Sequence, residues 1–314
     1  MDLVKLSNSK KVLFIIGPTC SGKSTISIPI ALKLNAEIIS ADSRQIYRML
    51  DIGTAKPSSK DLDTVKHHFI NELNPDEEFS AGEYSKEARK RIDEIFLRKK
   101  QPIVVGGSGL YIEALVDGIF DSPPVDKNIR KKLYDWYRTS SLDELIEYLR
   151  KIDSESLQKM KHITVRRVVR AIEVYELTGI PISVLQKQRK PAEFNEIMIG
   201  LNWDREKLYE RINTRVDWMI ESGLIEEVRK ILESGYNENL LALQTVGYKE
   251  TIDYLKGKID FDKMVELIKR NTRRYAKRQL TWFRREKRIK WFDVKDENDF
   301  GGLVEKIIEY FVSS

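Results

Sequence analysis

The sequence predicts an α/β fold, in which crossover helices connect the strands of a parallel sheet and a phosphate-binding loop (P-loop) follows the first strand. Short strand-like segments occur at 12–16, 37–40 and 103–105, and unbroken apolar runs such as the first are typical of strands buried on both faces. Helical spacing at 80–100 separates the second strand from the third, as a crossover helix does. The motif G-x-x-x-x-G-K-[ST] stands at 17–24, directly after the first strand.

The first strand and the loop should be followed by a helix that extends to Leu34. Pro29 lies inside that helix, where it should remove one hydrogen bond and introduce a kink. A proline-rich breaker at 122–124 then ends the alternation of strands and helices. Helical patterns without a convincing strand continue to about 191, and strand character returns at 196–201.

These breakpoints predict two domains. Residues 1–120 and 194–314 should form the P-loop core, whose C-terminal part from 204 is mostly helical. Residues 121–193 should form a helical insertion domain.

The composition limits the class of protein. The chain has 314 residues, 41% of them hydrophobic, and a net charge of +6, which suits a globular protein with a polyanionic partner such as nucleic acid. Its one cysteine, Cys20, excludes an intrachain disulfide and a cysteine-based zinc site. The first apolar run is too short for a signal peptide or a membrane span. We therefore expect a cytoplasmic protein without a membrane partner, and nothing requires a partner subunit, so we expect a monomer.

The P-loop motif predicts how a phosphate group would be held. Glycines let backbone N–H groups approach phosphate oxygens, and the helix that follows directs its N-terminal dipole at the anion. Lys23 supplies positive charge, and the Ser24 hydroxyl can bind Mg²⁺. The predicted phosphate-binding residues are Gly17, Thr19, Cys20, Ser21, Gly22, Lys23 and Ser24.

The loop alone leaves the ligand open, because ATP-dependent kinases, GTPases and diphosphate-using transferases share it. The chain has no Asn-Lys-x-Asp motif, which weighs against a GTPase. The third strand is followed by Gly106 and Gly107 instead of the acidic residue that many nucleotide hydrolases place there.

A basic stripe in the C-terminal part indicates a nucleic-acid surface. Between Arg270 and Lys290, ten basic residues are interrupted by one acidic residue, Glu286. A second set with the same spacing is offset by two residues, or about 200° on a helix, so it should pack on the core while the basic set meets phosphates. The predicted basic stripe is Arg270, Arg273, Arg274, Lys277, Arg278, Arg284, Arg285 and Arg288, and the opposite face is Ile268, Thr272, Tyr275, Ala276, Gln279, Trp282 and Phe283.

Further blocks follow the loop in a characteristic order. They are A-D-S-R-Q-I-Y at 41–47, D-I-G-T-A-K-P at 51–57, G-G-S-G-L-Y at 106–111, R-V-V-R-A-I-E-V at 167–174, V-G-Y-K-E at 246–250, and T-R-R-Y-A-K-R-Q followed by T-W-F at 272–283. In this order they closely resemble the tRNA dimethylallyltransferases, the tRNA isopentenyltransferase family, over about residues 11–290. Eukaryotic members often add a C-terminal zinc finger. This chain has no cysteines there to build one, so it resembles the bacterial type.

The resemblance implies a reaction and a set of site residues. A dimethylallyl group would move from dimethylallyl pyrophosphate to N6 of the adenine next to the tRNA anticodon, at position 37. Asp42 matches the proposed base, Ser108 matches a residue near the adenine, and Arg215 matches an arginine near the pyrophosphate. The helical insertion would hold the anticodon stem-loop. The implied tRNA-binding residues are Asp42, Ser43, Arg44, Gln45, Ser108, Arg130, Arg166, Arg167, Arg170, Gly247, Arg273, Arg274, Lys277 and Arg278.

Several alternatives stay open at this point. Asp42 could instead cap a helix that begins at Ser43, and Arg130 could be a solvated charge. The family usually has Asn-Asp and then Gln where this chain has Ile163-Thr164 and Arg166, which weakens the inferred tRNA contact of that segment. An ATP-dependent small-molecule kinase and a non-catalytic RNA-binding P-loop protein are the rival functions.

Overall fold

The structure, a computed structural model, describes residues 10–120, 123 and 125–314. The chain forms two compact units. The first contains the described residues up to Ser80, Lys86–Ile112 and Glu193–Ser314, and the second contains Ala81–Ser85 and Glu113–Ala192. Of the predicted breaker at 122–124, only the middle residue lies within the described part of the chain.

All strands among the described residues belong to the first unit and form one parallel sheet in the order β3-β2-β4-β1-β5-β6. The strands are β1 Lys11–Ile16, β2 Ala36–Ala41, β3 His67–His68, β4 Gln101–Gly106, β5 Asn195–Trp203 and β6 Lys290–Val294. The four predicted strands and the α/β class are confirmed. The pattern did not indicate the two edge strands, because β3 is two residues long and β6 is only partly buried.

The helices of both units, in chain order, are α1 Lys23–Lys33, α2 Ser59–Thr64, α3 Ala81–Leu97, α4 Gly109–Val116, α5 Lys127–Thr139, α6 Leu142–Ile152, α7 Ser154–Lys159, α8 Val165–Thr178, α9 Ile182–Leu185, α10 Arg205–Glu221, α11 Leu224–Glu233, α12 Tyr248–Leu255, α13 Phe261–Phe283 and α14 Phe300–Ser313. Short 3₁₀ helices occur at Gln186–Gln188 and Glu297–Asp299. α1 is continuous through Pro29, which removes one N–H donor but does not end the helix. No helix in the described ranges is both long and apolar enough to cross a membrane.

The loops after β1, β2 and β4 meet at one edge of the sheet in the first unit. The central residues of these three strands are almost completely buried, and α1 and α14 cover part of the sheet. Because the strands are parallel, their carboxyl ends lie at one edge of the sheet. Gly17, Asp42 and Gly107 each follow directly after one of these ends, so one edge carries the P-loop and the predicted catalytic segment.

The second unit contains helices and connecting loops, and no strand, within its described residues. Its apolar core brings together α5, α6 and α8, with Leu133, Leu145, Leu149 and Ile172 almost fully buried. Phe120 belongs to the same core, although the sequence-based boundary placed it in the first domain.

Candidate active site

The P-loop connects β1 to α1 through residues with unusual backbone angles. Gly17 has a φ of +150° and Gly22 a φ of +89°, both in the range that favours glycine. A Cβ on Gly22 would also lie 2.3 Å from Cζ of Phe300. The motif glycine is therefore required at position 22 both by its conformation and by the aromatic ring packed against it.

Two side chains that the sequence motif did not indicate hold the loop through its carbonyl groups. Trp203 Nε1 donates to Ser21 O at 2.9 Å, and Arg211 Nε donates to Cys20 O at 2.9 Å. Arg211 is four residues before Arg215 on α10, a spacing that puts both on one helix face and could have indicated it. The N–H groups of residues 20–22 form no hydrogen bond with the described residues, so they are available to an anion.

Lys23 lies against its own loop. Its Nζ donates to Pro18 O at 2.6 Å and lies 3.4 Å from Ser21 Oγ. Burial lowers the pKa of Lys23 to about 8; the charge of Asp42 works in the opposite direction, and that of Arg215 lowers the pKa further. The lysine, the carboxylate and the arginine are thus close enough to act on one another electrostatically.

Arg215 lies beside the loop, where the resemblance put it. Its Nη1 is 3.8 Å from Cys20 Sγ, and its side chain lines the same cavity as Lys23. Thr19 differs from the prediction, because its backbone N–H is already bonded to Gln279 Oε1 at 2.8 Å. The backbone of Thr19 is therefore not a free donor for phosphate.

The loop opens into a cavity of about 770 Å³ within the first unit. Its walls come from segments that are far apart in the sequence: the P-loop, residues 42–45, residues 53–58 and the inner faces of α10 and α13. Thr272, Tyr275 and Gln279 of α13 line it, so these members of the face predicted to pack on the core also face the cavity. Ala276 and Phe283 are buried as predicted, whereas Trp282 is 38% exposed.

Asp42 is held at the cavity wall by one of its two carboxylate oxygens. Oδ1 accepts hydrogen bonds from Arg44 N at 2.8 Å and Gln45 N at 3.4 Å. Residues 43–46 form turns, so the alternative in which Asp42 caps a helix is wrong, although its carboxylate does cap the turn. Oδ2 accepts no hydrogen bond from the described residues, which leaves it available to a substrate proton.

Ser108 lies next to this turn but not on the cavity wall. Its Oγ accepts a hydrogen bond from Ser43 N at 3.1 Å, and its N–H donates to Ala41 O at 3.1 Å. The hydroxyl therefore orders the segment that carries Asp42 and keeps its own proton for donation.

A partly buried carboxylate that the sequence did not indicate supports another wall of the cavity. Glu227 on α11 accepts hydrogen bonds from the N–H groups of Asp51, Ile52 and Gly53, at 2.7–3.2 Å. It also accepts one from the Tyr248 hydroxyl at 2.6 Å. These contacts hold the D-I-G-T-A-K-P segment, whose residues 53–57 face the cavity.

Three other predicted tRNA-binding residues of the first unit already make hydrogen bonds within the protein. Gln45 Nε2 donates to Thr54 O, and Gly247 N donates to Glu250 Oε2 at 2.8 Å, while both residues line the cavity. Arg44 Nη1 donates to Ser43 O at 2.9 Å.

The basic stripe is shorter than predicted. α13 ends at Phe283, because the chain leaves the helix there to enter β6, so Arg284, Arg285 and Arg288 do not continue its face. Arg288 pairs with Glu196 and Glu286. Within the helix, Arg274, Lys277 and Arg278 are exposed, whereas Arg273 donates to Asn213 at 2.6 Å.

The predicted tRNA-binding arginines of the second unit fall into two pairs. Arg130 and Arg170 both bind the fully buried carboxylate of Glu173, at 2.8 and 2.7 Å, so the alternative of a solvated charge at Arg130 is wrong. Arg166 and Arg167 are exposed on α8.

The Ser24 hydroxyl is a candidate ligand for a magnesium ion. Among the described residues, no group of three His, Cys, Asp or Glu side chains is arranged for a metal. Ser24 lines the cavity, and its hydroxyl makes no hydrogen bond with the described residues. Mg²⁺ commonly uses few protein ligands together with phosphate oxygens and water, so this hydroxyl fits that donor set.

A parallel sheet with a P-loop after β1, and a carboxylate after β2 in the same cavity, defines a P-loop protein that acts on a phosphorylated substrate. A family model described as IPP transferase matches residues 45–286, and the chain belongs to this family. The family resemblance and the P-loop core inferred from the sequence are thereby confirmed.

Relatives and solved structures agree with this membership. The chain is 47% identical over 306 residues to the tRNA dimethylallyltransferase of Acetivibrio thermocellus, covering 96% of this chain and 97% of the relative. The enzyme of the same name from Thermotoga maritima is 46% identical, covering 97% of this chain and 99% of the relative. A crystal structure of the tRNA isopentenylpyrophosphate transferase of Bacillus halodurans superposes with a TM-score of 0.70 at 38% identity, covering 97% of this chain and 98% of that one. A crystal structure of a eukaryotic dimethylallyltransferase acting on tRNA superposes with a TM-score of 0.81 at 29% identity, covering 97% of this chain and 80% of that one.

Proposed function

We propose that this protein transfers the dimethylallyl group of dimethylallyl pyrophosphate to N6 of the adenine at position 37 of tRNA, next to the anticodon. The products are N6-isopentenyladenosine and pyrophosphate. Family membership and relatives named for this activity support the proposal. We expect the enzyme to act as a monomer in the cytoplasm.

One observation of the structure carries the proposal: the phosphate-binding lysine and a carboxylate with a free oxygen share one cavity. The charges of Lys23 and Asp42 act on each other, and both residues line the cavity. Group transfer from a diphosphate to an amine needs a cationic site for the leaving group and a proton acceptor near the nucleophile.

The P-loop would bind the leaving group. As the bond between C1 of the allyl group and the diphosphate oxygen breaks, its electron pair stays on the pyrophosphate. Lys23, Arg215 and the free N–H groups of residues 20–22 would stabilise that growing charge. When bound at Ser24, Mg²⁺ would neutralise part of the charge on the diphosphate.

Asp42 would act as the base. The adenine amine is a weak nucleophile, because its lone pair is delocalised into the ring. As the N6–C1 bond forms, a proton would pass from N6 to Oδ2, while Oδ1 keeps the side chain oriented through its bonds to the turn. Such general base catalysis contributes roughly 10²–10⁴-fold to a rate.

The exposed basic residues would bind the tRNA. Arg274, Lys277 and Arg278 on α13, and Arg166 and Arg167 on α8, have the exposure that phosphate contacts require. The target adenine would have to leave its stack to reach Asp42, as in other base-modifying enzymes.

A single transfer assay separates this proposal from its rivals. The protein is incubated with Mg²⁺, dimethylallyl pyrophosphate and unmodified tRNA, and the nucleosides are then analysed by mass spectrometry. We expect isopentenyladenosine at one position. A lack of product beside an active control enzyme would refute the proposal. ATP consumption with a small acceptor would favour a kinase, and tRNA binding without any turnover would favour an RNA-binding protein.

A further inference from the structure

Gln279 joins two separate segments of the cavity wall through its side-chain amide. Its Oε1 accepts a hydrogen bond from Thr19 N–H at 2.8 Å, and its Nε2 donates to Gly107 O at 3.0 Å. The residue is 7% exposed and its bond to Gly107 O is buried, so an unpaired amide there would be costly. A side chain of α13 thus connects the P-loop to the segment after β4.

The shape of the protein around this amide leaves no space for a larger residue at position 107. A Cβ there would lie 2.3 Å from Gln279 Nε2 and 3.2 Å from Gly17 O. Gly107 is therefore needed because the glutamine and the loop approach it closely. Its backbone conformation is not the reason, because its φ lies outside the left-handed region.

Because of this contact, one N–H group of the loop is already hydrogen-bonded, while others remain available to a ligand. Gln279 occupies that of Thr19, whereas those of residues 20–22 bind no described residue. Trp203 and Arg211 hold the carbonyls of Ser21 and Cys20 from β5 and α10. Gln279 is the corresponding anchor from α13, and it holds the residue directly before the free N–H groups.

We propose that Gln279 is a positioning residue for the diphosphate: by fixing Thr19 against Gly107, it preorganises the free N–H groups of residues 20–22 for the anion. It acts through the loop rather than on the ligand. The inference rests on the proposed function in one respect, because it takes the ligand to be the diphosphate of the allylic donor. A preorganised site binds more tightly because less conformational freedom is lost on binding.

The direct test measures binding of inorganic pyrophosphate with Mg²⁺ by calorimetry. Gln279→Met keeps the size of the side chain and removes both hydrogen bonds. We expect the dissociation constant to rise about 5- to 30-fold, as for the loss of one or two hydrogen bonds. In the transfer assay, the KM of the donor should rise by a similar factor, while the affinity for tRNA stays unchanged.

Gln101 provides a matched control at the opposite end of β4. Its Nε2 donates to Lys11 O at 2.8 Å and to Pro102 O at 3.0 Å, away from the cavity. Gln101→Met removes the same kind of bonds and should lower the melting temperature without changing pyrophosphate affinity. A merely structural role of Gln279 would make the two variants behave alike.

Gly107→Ala tests the contact from its other side and keeps Gln279 in place. The new Cβ should displace the amide and weaken pyrophosphate binding, whereas in a Gln279→Ala background it should add little, because the closest contact, with Nε2 of the glutamine, is then gone. The inference would be overturned if Gln279→Met bound pyrophosphate with a dissociation constant within twofold of the wild type. It would also be overturned if the effects of Gly107→Ala and Gln279→Ala on that constant were fully additive. If Gln279→Met does not fold, the Gly107→Ala pair decides. A wild-type protein that fails to bind pyrophosphate would instead refute the proposed function.

Discussion

The pKa of Lys23 predicts how donor binding depends on pH. Burial lowers this pKa to about 8, and binding of a diphosphate anion requires the protonated ammonium. The protonated fraction in the free protein falls from about nine-tenths at pH 7 to about one-tenth at pH 9. Because the anion binds the protonated form and raises the pKa in the complex, affinity is present below pH 8 and is lost as the pH rises. We expect donor affinity to fall about tenfold between pH 7 and pH 9.

The assay measures kcat/KM for dimethylallyl pyrophosphate, at saturating tRNA, between pH 7 and pH 9. The last ionisation of the donor's phosphate has a pKa of about 6, so it is almost complete at pH 7 and any remainder would strengthen binding; it cannot cause the predicted loss. Lys23→Arg is the matched control, since guanidinium stays charged throughout this range and should remove the pH dependence whatever its absolute activity. A wild-type profile that is flat to pH 9, or an unchanged slope in Lys23→Arg, would refute the reasoning.

Three other expectations follow from the site and the core. Asp42→Asn keeps the acceptor for the turn and removes the base, so single-turnover rates should fall roughly 10²–10⁴-fold with tRNA affinity nearly unchanged; an equal loss of both would make Asp42 a binding residue. Changing Lys277 and Arg278 together to Ala should weaken tRNA binding and reduce the slope of log K against log salt by about two, and an unchanged slope would make them solvated charges only. Burial would raise the pKa of Glu37, but hydrogen bonds with Arg98 and His68 outweigh it and hold that pKa at about 2, so its contribution to stability is complete above the unfolded pKa near 4.5 and is lost as the pH falls from there towards 2. Glu37→Gln should therefore flatten the unfolding free energy across that interval, which chemical denaturation at several pH values would measure.

The central strands could be predicted because they are buried on both faces, so their apolar character is local and continuous. β6 could not, since only its last residue is buried and its pairing with β5 is a long-range event. The end of α13 was missed for a related reason. Basic spacing continues past Phe283, but the helix stops where the chain must turn to reach that edge of the sheet.

The sequence by itself determined the phosphate loop, the position of Asp42 after the second strand and the family. Each depends on residues that are close together in the chain and whose types have direct chemical meaning. Only the tertiary structure decided which groups of the loop are free. Trp203, Arg211 and Gln279 reach the loop from distant segments, and no local pattern records that their hydrogen bonds occupy two carbonyls and the N–H of Thr19. Likewise, the buried charge of Glu173 converts Arg130 from an apparently solvated residue into a paired one, because burial is a property of the folded chain and not of its sequence pattern.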